Sequence, residues 1–246
     1  MAKVDVRCPF CQQTPPVKKH GLGSTGHQRY RCQDCCRSFQ LDYKYRACQP
    51  GTKDKIIDLT MNNAGIRDTA RALHISINAV VRTFKKLSPK QVTSLPLDNL
   101  HIELLCEVDE QWSFVANKKQ QRWLWYAWEP RLKRIIAHTF GHRNKRALRQ
   151  LLALLSGFNV AFWCTDKFSA YEILPKQKHV ASKFYTQRIE RENLNLRNRL
   201  KRLNRKTLGY SKSPEMHDKI IGTFIEREHY LCDDLYIEYT TIFSYD

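Results

Sequence analysis

The stretch ELLCEVDEQWSFV, residues 103–115, decides how this chain is read. Its apolar, aromatic and β-branched content fits a strand. Asp109 stands directly after the apolar run. A carboxylate inside or just past a buried central strand is costly to desolvate unless something pairs with it. NVAFWCTD, residues 159–166, poses the same problem: a short apolar run, read as a strand buried on both faces, ends at Asp166. Two aspartates on neighbouring strand ends, joined by a glutamate from a nearby helix, make a hard-oxygen site suited to Mg²⁺ or Mn²⁺. Two such ions can activate a water or hydroxyl on one side of a phosphodiester and stabilise the leaving oxygen on the other. A plainer alternative stays open: Asp109 caps a turn beside Glu110, and Asp166 caps a helix over KFSAYEIL, residues 167–174.

The surrounding segments extend the pattern. RWLWYAWEP (122–130) and KRIIAHTFG (133–141) read as two more strands, antiparallel to the first. NKRALRQLLALLSGF (144–158) has a 3.6-residue period through Leu148, Leu151, Leu152 and Leu155, an amphipathic helix. HVASKFYT (179–186) is a further strand. RIERENLNLRNRLKRLNRK (188–206) closes the series as a helix with Ile189, Leu196, Leu200 and Leu203 as its buried stripe. The order is an α/β plan. The last helix carries eight Lys/Arg and two acids, Glu190 and Glu192. At about 100° per residue the two acids point about 200° apart, so one face cannot use both. Each has an arginine seven positions later, Arg197 or Arg199, so that cue does not choose between them. The cations Arg197, Arg199, Lys201 and Arg202 read as a DNA-facing rail.

The whole chain has 246 residues and a net charge of +18, which favours a polyanionic partner, DNA or RNA. Up to Leu95 it holds 17 Lys/Arg against 6 Asp/Glu; beyond it, 25 against 18. The first part is almost purely basic, while the second keeps most of the carboxylates. There is no run of 18 apolar residues and no apolar core of a leader peptide near the start, so a cytoplasmic protein with no membrane span is expected. No internal repeat is present.

The basic part carries two modules. Cys8 and Cys11, then Cys32 and Cys35, form C-x2-C-x20-C-x2-C, a zinc-ribbon spacing over residues 1–48. So small a segment needs the metal for its folding energy. Cys36 is a substitute ligand candidate and Cys48 a bystander; Cys106, Cys164 and Cys232 read as core thiols. Residues 49–87 read as three helices, Lys53 to Asn62, Ile66 to Leu73 and Ile77 to Leu87, with Thr52 and Ser76 as N-caps. A three-residue turn, His74 to Ser76, makes the last two a helix-turn-helix, although glycine is common where His74 stands. Ile77, Val80, Val81 and Phe84 form the buried face. Asn78, Arg82, Lys85 and Lys86 then meet DNA. Residues 88–99 are a polar linker, 100–230 the α/β domain, and 231–246 a tail of unknown role.

Long motifs narrow this further. GHQRYRC, QPGTKDKIIDLTMNNAG, DEQWSFV with QRWLWYAW, TDKFSAYE, YTQRIERENLNLR and KSPEMHDKIIG resemble the transposases of the insertion-sequence-one family over residues 5 to 230. The resemblance implies a zinc-ribbon and helix-turn-helix DNA-binding region joined to a ribonuclease-H-like Asp-Asp-Glu catalytic domain. It implies Asp109, Asp166 and Glu190 as the Mg²⁺- or Mn²⁺-binding triad, with Arg197 as the basic residue that follows. It makes Glu192 a surface acid. It also implies binding of the element's terminal inverted repeats, 3′-end cleavage and strand transfer into target DNA by a dimer or larger, in a bacterial cytoplasm at the nucleoid. The 23 residues between Asp166 and Glu190 look one shorter than the family's usual spacing. Two other readings remain: a repressor made of the first 90 residues, and a nuclease that cuts without joining.

Overall fold

The computed structural model describes residues 5–24, 26–43, 45–95 and 103–231; Cys232 and the rest of the expected tail lie outside them. The chain divides into two compact units, residues 1–60 with 64–83, and residues 61–63 with 84–246.

The first unit opens with an antiparallel sheet of β1 (Val17–Leu22), β2 (Gln28–Cys32) and β3 (Ser38–Gln40) in that order. The glycine-rich hairpin tip is closed by Gly23 N donating to His27 O at 2.8 Å, and Gly26 takes φ +80°, a conformation cheap only without a Cβ. The core here is small: Cys8, Cys32 and Phe39 are buried, and Tyr30 stacks on Phe39 at 5.8 Å between centroids. Helices α1 (Thr52–Met61), α2 (Ile66–Leu73) and α3 (Ile77–Lys85) follow. His74 caps α2 in the left-handed region (φ 52°, ψ 46°), with its N–H bonded to Ala70 O and Arg71 O. Histidine thus does at this turn what glycine commonly does. Ser76 Oγ accepts from Ala79 N at 3.2 Å, and Tyr45 Oη donates to Ser76 Oγ at 2.8 Å. Val80 and Phe84 are buried, but Ile77 is 48% exposed, against the expected stripe. Helical side chains lean toward the N-terminus, so the first residue of a helix projects past its end rather than onto the core.

The second unit is built on one mixed sheet. Its strands are β4 (Leu104–Val115), β5 (Asn117–Glu129), β6 (Arg134–Gly141), β7 (Val160–Thr165) and β8 (His179–Ala181), in spatial order β6-β5-β4-β7-β8. β4, β5 and β6 pair antiparallel, whereas β4–β7 and β7–β8 are parallel. Side chains alternate between faces along each strand. Cys106, Val108, Trp125 and Ala127 share one core with Leu148 and Leu151 of α4 (Lys145–Leu154), which Asn144 caps through Ala147 N at 3.0 Å. Leu124, Tyr126 and Trp128 share the other core with α5 (Gln187–Arg199) and α6 (Pro214–Ile225). Ser213 caps α6 and Pro214 supplies its first residue, where a missing N–H costs nothing.

Three expectations change in this unit. The basic helix stops at Arg199: Leu200 is extended (φ −126°, ψ 98°), and a short 3₁₀ turn, Lys201–Leu203, keeps Leu203 buried. The segment 167–174 holds a 3₁₀ turn, Ser169–Ile173, and not an α-helix; Leu174 is extended because Pro175 follows it. Within the stretch expected as linker, Thr93 N donates to Ile136 O and His138 N to Gln91 O, both at 2.8 Å, so these residues extend the β6 edge.

Candidate functional site

The four knuckle cysteines converge. Their Sγ atoms all lie within 4.8 Å of one another, with Cys8 to Cys35 at 3.6 Å and Cys11 to Cys32 at 3.5 Å. A tetrahedron with Zn–S bonds of about 2.3 Å has edges of about 3.8 Å. The two knuckles are built alike. Cys8 N donates to Gln13 O and Cys32 N to Arg37 O, each at 2.9 Å, and the residue after each second cysteine, Gln12 or Cys36, has positive φ (63° and 55°). That bend turns Cys36 away from the cluster; its thiol is exposed and donates to Gln33 O. The set of four suits a structural zinc.

On α3, Asn78, Arg82 and Lys85 are exposed at positions i, i+4 and i+7, one face of the helix; Lys86, just beyond it, is also exposed.

The carboxylates gather on the second sheet. The β4–β7 register pairs Leu105 with Phe162, Cys106 with Trp163 and Glu107 with Cys164. Asp166 follows the last residue of β7, and its carboxylate lies near enough to Asp109 to raise it. Asp166 Oδ1 accepts from Phe168 N at 2.8 Å, which shapes the turn leaving β7. Asp109 Oδ1 accepts from Glu110 N at 2.8 Å, and Oδ2 accepts from Asn193 Nδ2 at 2.5 Å. Burial pushes the Asp109 carboxyl up to about 7, and the carboxylates of Glu110 and Asp166 add to the rise.

A polar ladder on β4 fixes α5 over this site. Glu107, Asp109 and Gln111 alternate onto one face. Glu107 Oε2 accepts from Ile189 N (2.8 Å), and Gln111 Nε2 donates to Asn193 O (2.7 Å). Tyr126, paired with Asp109 across β4–β5, donates its hydroxyl to Asn193 Oδ1 at 3.0 Å. Asn193 thereby joins Asp109 to Tyr126. Glu190 is exposed one turn before Asn193 on the same face, in the helix's first turn. Arg197 lies one turn after Asn193, half-buried, and Asp109 is among the charges acting on it. On the opposite face of β4, Glu110 accepts from Tyr171 Oη (2.6 Å) and from Arg143 Nε (2.7 Å), whose guanidinium sits 4.0 Å over the Phe168 ring. This braces the turn that follows Asp166. The structure thus brings Asp109 and Asp166 together and sets Glu190 on the neighbouring helix. Among the described residues only the four thiols form a set of ligand atoms all within 4.8 Å of one another, so the oxygens of Asp109, Asp166 and Glu190 are spread more widely than that.

The remaining cations divide. Arg199 pairs with Glu228 at 2.6 Å and lies over Phe224, while Arg202 turns inward to Ser211 Oγ at 2.8 Å; Lys201 is exposed. Neither arginine belongs to an open rail. Glu192, expected on the surface, is 9% exposed; it accepts from Asn195 Nδ2, and burial raises its carboxyl. It falls on the far face of α5 from Glu190, the face that packs toward Trp128 and His229.

Sequence reasoning missed Glu107, Gln111, Tyr126 and Asn193. The polar residues at every second position of β4, within an otherwise apolar run, were the available signal for the first two.

Comparison with known proteins agrees with this architecture. A family model described as IS1 transposase matches residues 103–231; models for the InsA C-terminal and N-terminal domains match residues 43–88 and 1–36. The insertion element IS1 2 protein InsB of Escherichia coli K12 is 50% identical over 148 residues, 60% of this chain and 89% of that protein. The IS1 9 protein InsB of the same strain is 49% identical over 149 residues, again 60% and 89%. A zinc ribbon and a helix-turn-helix thus precede a transposase domain of the Asp-Asp-Glu class. The chain belongs to the IS1 transposase family.

Proposed function

We propose that the chain is a DNA-cutting and DNA-joining enzyme of its element, with a ribonuclease-H-like second unit. Support for that fold comes from the order of three antiparallel strands, a helix and two parallel strands with β4 central. The observation that carries the function is Asp109 held beside Asp166 under α5, with Glu190 in the first turn of that helix.

Asp109, Asp166 and Glu190 are the residues that would hold Mg²⁺ or Mn²⁺. Their oxygens are the donor type for such ions, and the raised Asp109 carboxyl records burial first and carboxylate neighbours second, both of which a cation would offset. Bound there, divalent cations would activate the attacking oxygen and stabilise the leaving one. In the first step a water oxygen attacks the phosphodiester at the element's 3′ end and the free 3′-hydroxyl leaves. In the second that hydroxyl attacks a target phosphodiester, forming one phosphodiester as another breaks, so no external energy source is needed. Asn193 orients Asp109, and Arg197 offers positive charge beside it. Asn78 and Arg82 read bases in the terminal inverted repeats, while Lys85, Lys86 and Lys201 contact phosphates. Two ends must meet in one complex, which calls for a dimer or larger. The setting is the bacterial cytoplasm, at the nucleoid.

The test is end cleavage and joining by purified full-length chain with Mg²⁺. Glu190→Gln and Asp166→Asn should both be inactive while binding ends normally. Joining by either variant would overturn the mechanism.

A further inference from the structure

A second depression lies on the face of α5 away from Asp109. It has a volume of about 790 Å³, within the range of small-ligand sites. Arg188, Arg191, Asn195, Asn198 and Arg199 line it, at spacings that place them on one helix face, and Lys133 faces them from the turn before β6. Arg188, Arg191 and Lys133 have no ion-pair partner among the described residues. Three cations around one hollow repel each other, although Arg188 also acts on the Glu107 carboxylate, and an anion would offset that repulsion.

The floor of the hollow is mixed polar and aromatic. Trp128 and His229 line it at 7% and 8% exposure, and the indole Nε1 and imidazole Nδ1 have no hydrogen-bond partner among the described residues. Glu192 lies there too, its Oε1 3.8 Å from His229 Nε2. Both nitrogens are themselves buried, so the hollow meets the edges of these rings. Cations at the rim with a carboxylate, amides and an aromatic edge beneath match a nucleotide: phosphate outside, base edge inside. A carboxylate accepts from amino groups and protonated ring nitrogens, which guanine presents side by side and thymine lacks as an amino group.

We infer that this hollow holds one unstacked nucleotide of a bound DNA strand. Arg188, Arg191 and Lys133 grip its phosphate, and Glu192 with Asn195 reads an amino-bearing base. The inference rests on the reading of the chain as acting on DNA, but it involves no bond cleavage. It is therefore tested without added Mg²⁺, where end cutting cannot contribute.

Full-length chain is titrated calorimetrically with dGMP, dTMP and inorganic phosphate. Wild type should bind dGMP at least threefold more tightly than dTMP, and phosphate more weakly than either. Arg188→Ala with Arg191→Ala should weaken dGMP at least tenfold, whereas Glu192→Gln should level the two nucleotides. Asp166→Asn should bind dGMP as wild type does, and every variant compared should unfold in a single cooperative transition. Equal affinity for phosphate and dGMP, or a double-alanine variant that binds normally, would overturn the inference. So would loss of binding in Asp166→Asn, which would move the nucleotide to the carboxylates.

Discussion

Asp109→Asn should make the protein more stable, and only at high pH. The carboxyl stands at about 7 in the folded chain against an ordinary value of 3.8, a rise of about three. At about 1.4 kcal/mol per unit this is about 4 kcal/mol. The folded pKa is raised, so the stabilising contribution of the protonated form is complete below 3.8 and is lost as pH rises through 7. Above pH 7 the wild type therefore carries the whole penalty of an ionised carboxylate under α5. Asparagine removes the charge. Its oxygen still accepts from Asn193 Nδ2, but its amide turns toward the Glu110 N–H that Asp109 Oδ1 now accepts from. That loss costs about 1–2 kcal/mol, leaving a net gain of about 2–3 kcal/mol at pH 8. For a unit of this size the melting temperature should rise by about 5–10 °C. The assay is thermal unfolding of both proteins at pH 8 and pH 4.5 without added divalent cation. At pH 4.5 the penalty falls to about 1 kcal/mol, so the lost hydrogen bond cancels it and the gain should vanish. An equal gain at both pH values, or destabilisation at both, would refute the account of Asp109 as a buried charge awaiting a cation. Added Mg²⁺ should narrow the gap at pH 8 by stabilising the wild type alone.

The other predictions are shorter. Cys32→Ser should release the metal from a chain that otherwise carries one zinc, read by elemental analysis, while Cys36→Ser should keep it. Glu190→Gln should abolish joining, whereas Glu192→Gln should retain it, because Glu192 is buried on the far face of α5; equal loss in both would contradict that assignment. Asn193→Ala should lower the joining rate by about tenfold or more, as loss of one orienting hydrogen bond does in other sites. Its acid-limb pH profile should also shift upward, because the bond that favours the Asp109 carboxylate is gone; a structural defect alone would leave that profile unmoved. Acid should unfold the second unit through His138, His217 and His229, which burial holds neutral down to about 3. Their folded pKa values are depressed, so stability is full above about 6.5 and is lost as pH falls toward 3. Asp109 acts in the opposite sense between 7 and 3.8, so its asparagine variant should decline more steeply with acid in a melting series.

Sequence alone determined the local devices. The C-x2-C pairs, the Ser76 cap, the bounds of α2 and the runs that became β4, β6 and β7 each depend on neighbouring residues only, so spacing and periodicity reveal them. Asp109 and Asp166 were legible because a carboxylate ending an apolar run breaks the pattern. The choice of Glu190 came from the family motif, since Glu190 and Glu192 have the same local surroundings. Tertiary structure decided the rest. It brought Asp109 next to Asp166 through a parallel pairing of strands more than fifty residues apart. It ended α5 at Arg199, where no local residue forbids a helix. It buried Glu192 and turned Arg202 inward, although both look like surface residues in the chain. It made Asn193 the link between Asp109 and Tyr126. Each of these depends on which face of α5 meets the sheet. That is a balance of desolvation and hydrogen bonding across elements, which no window of sequence contains.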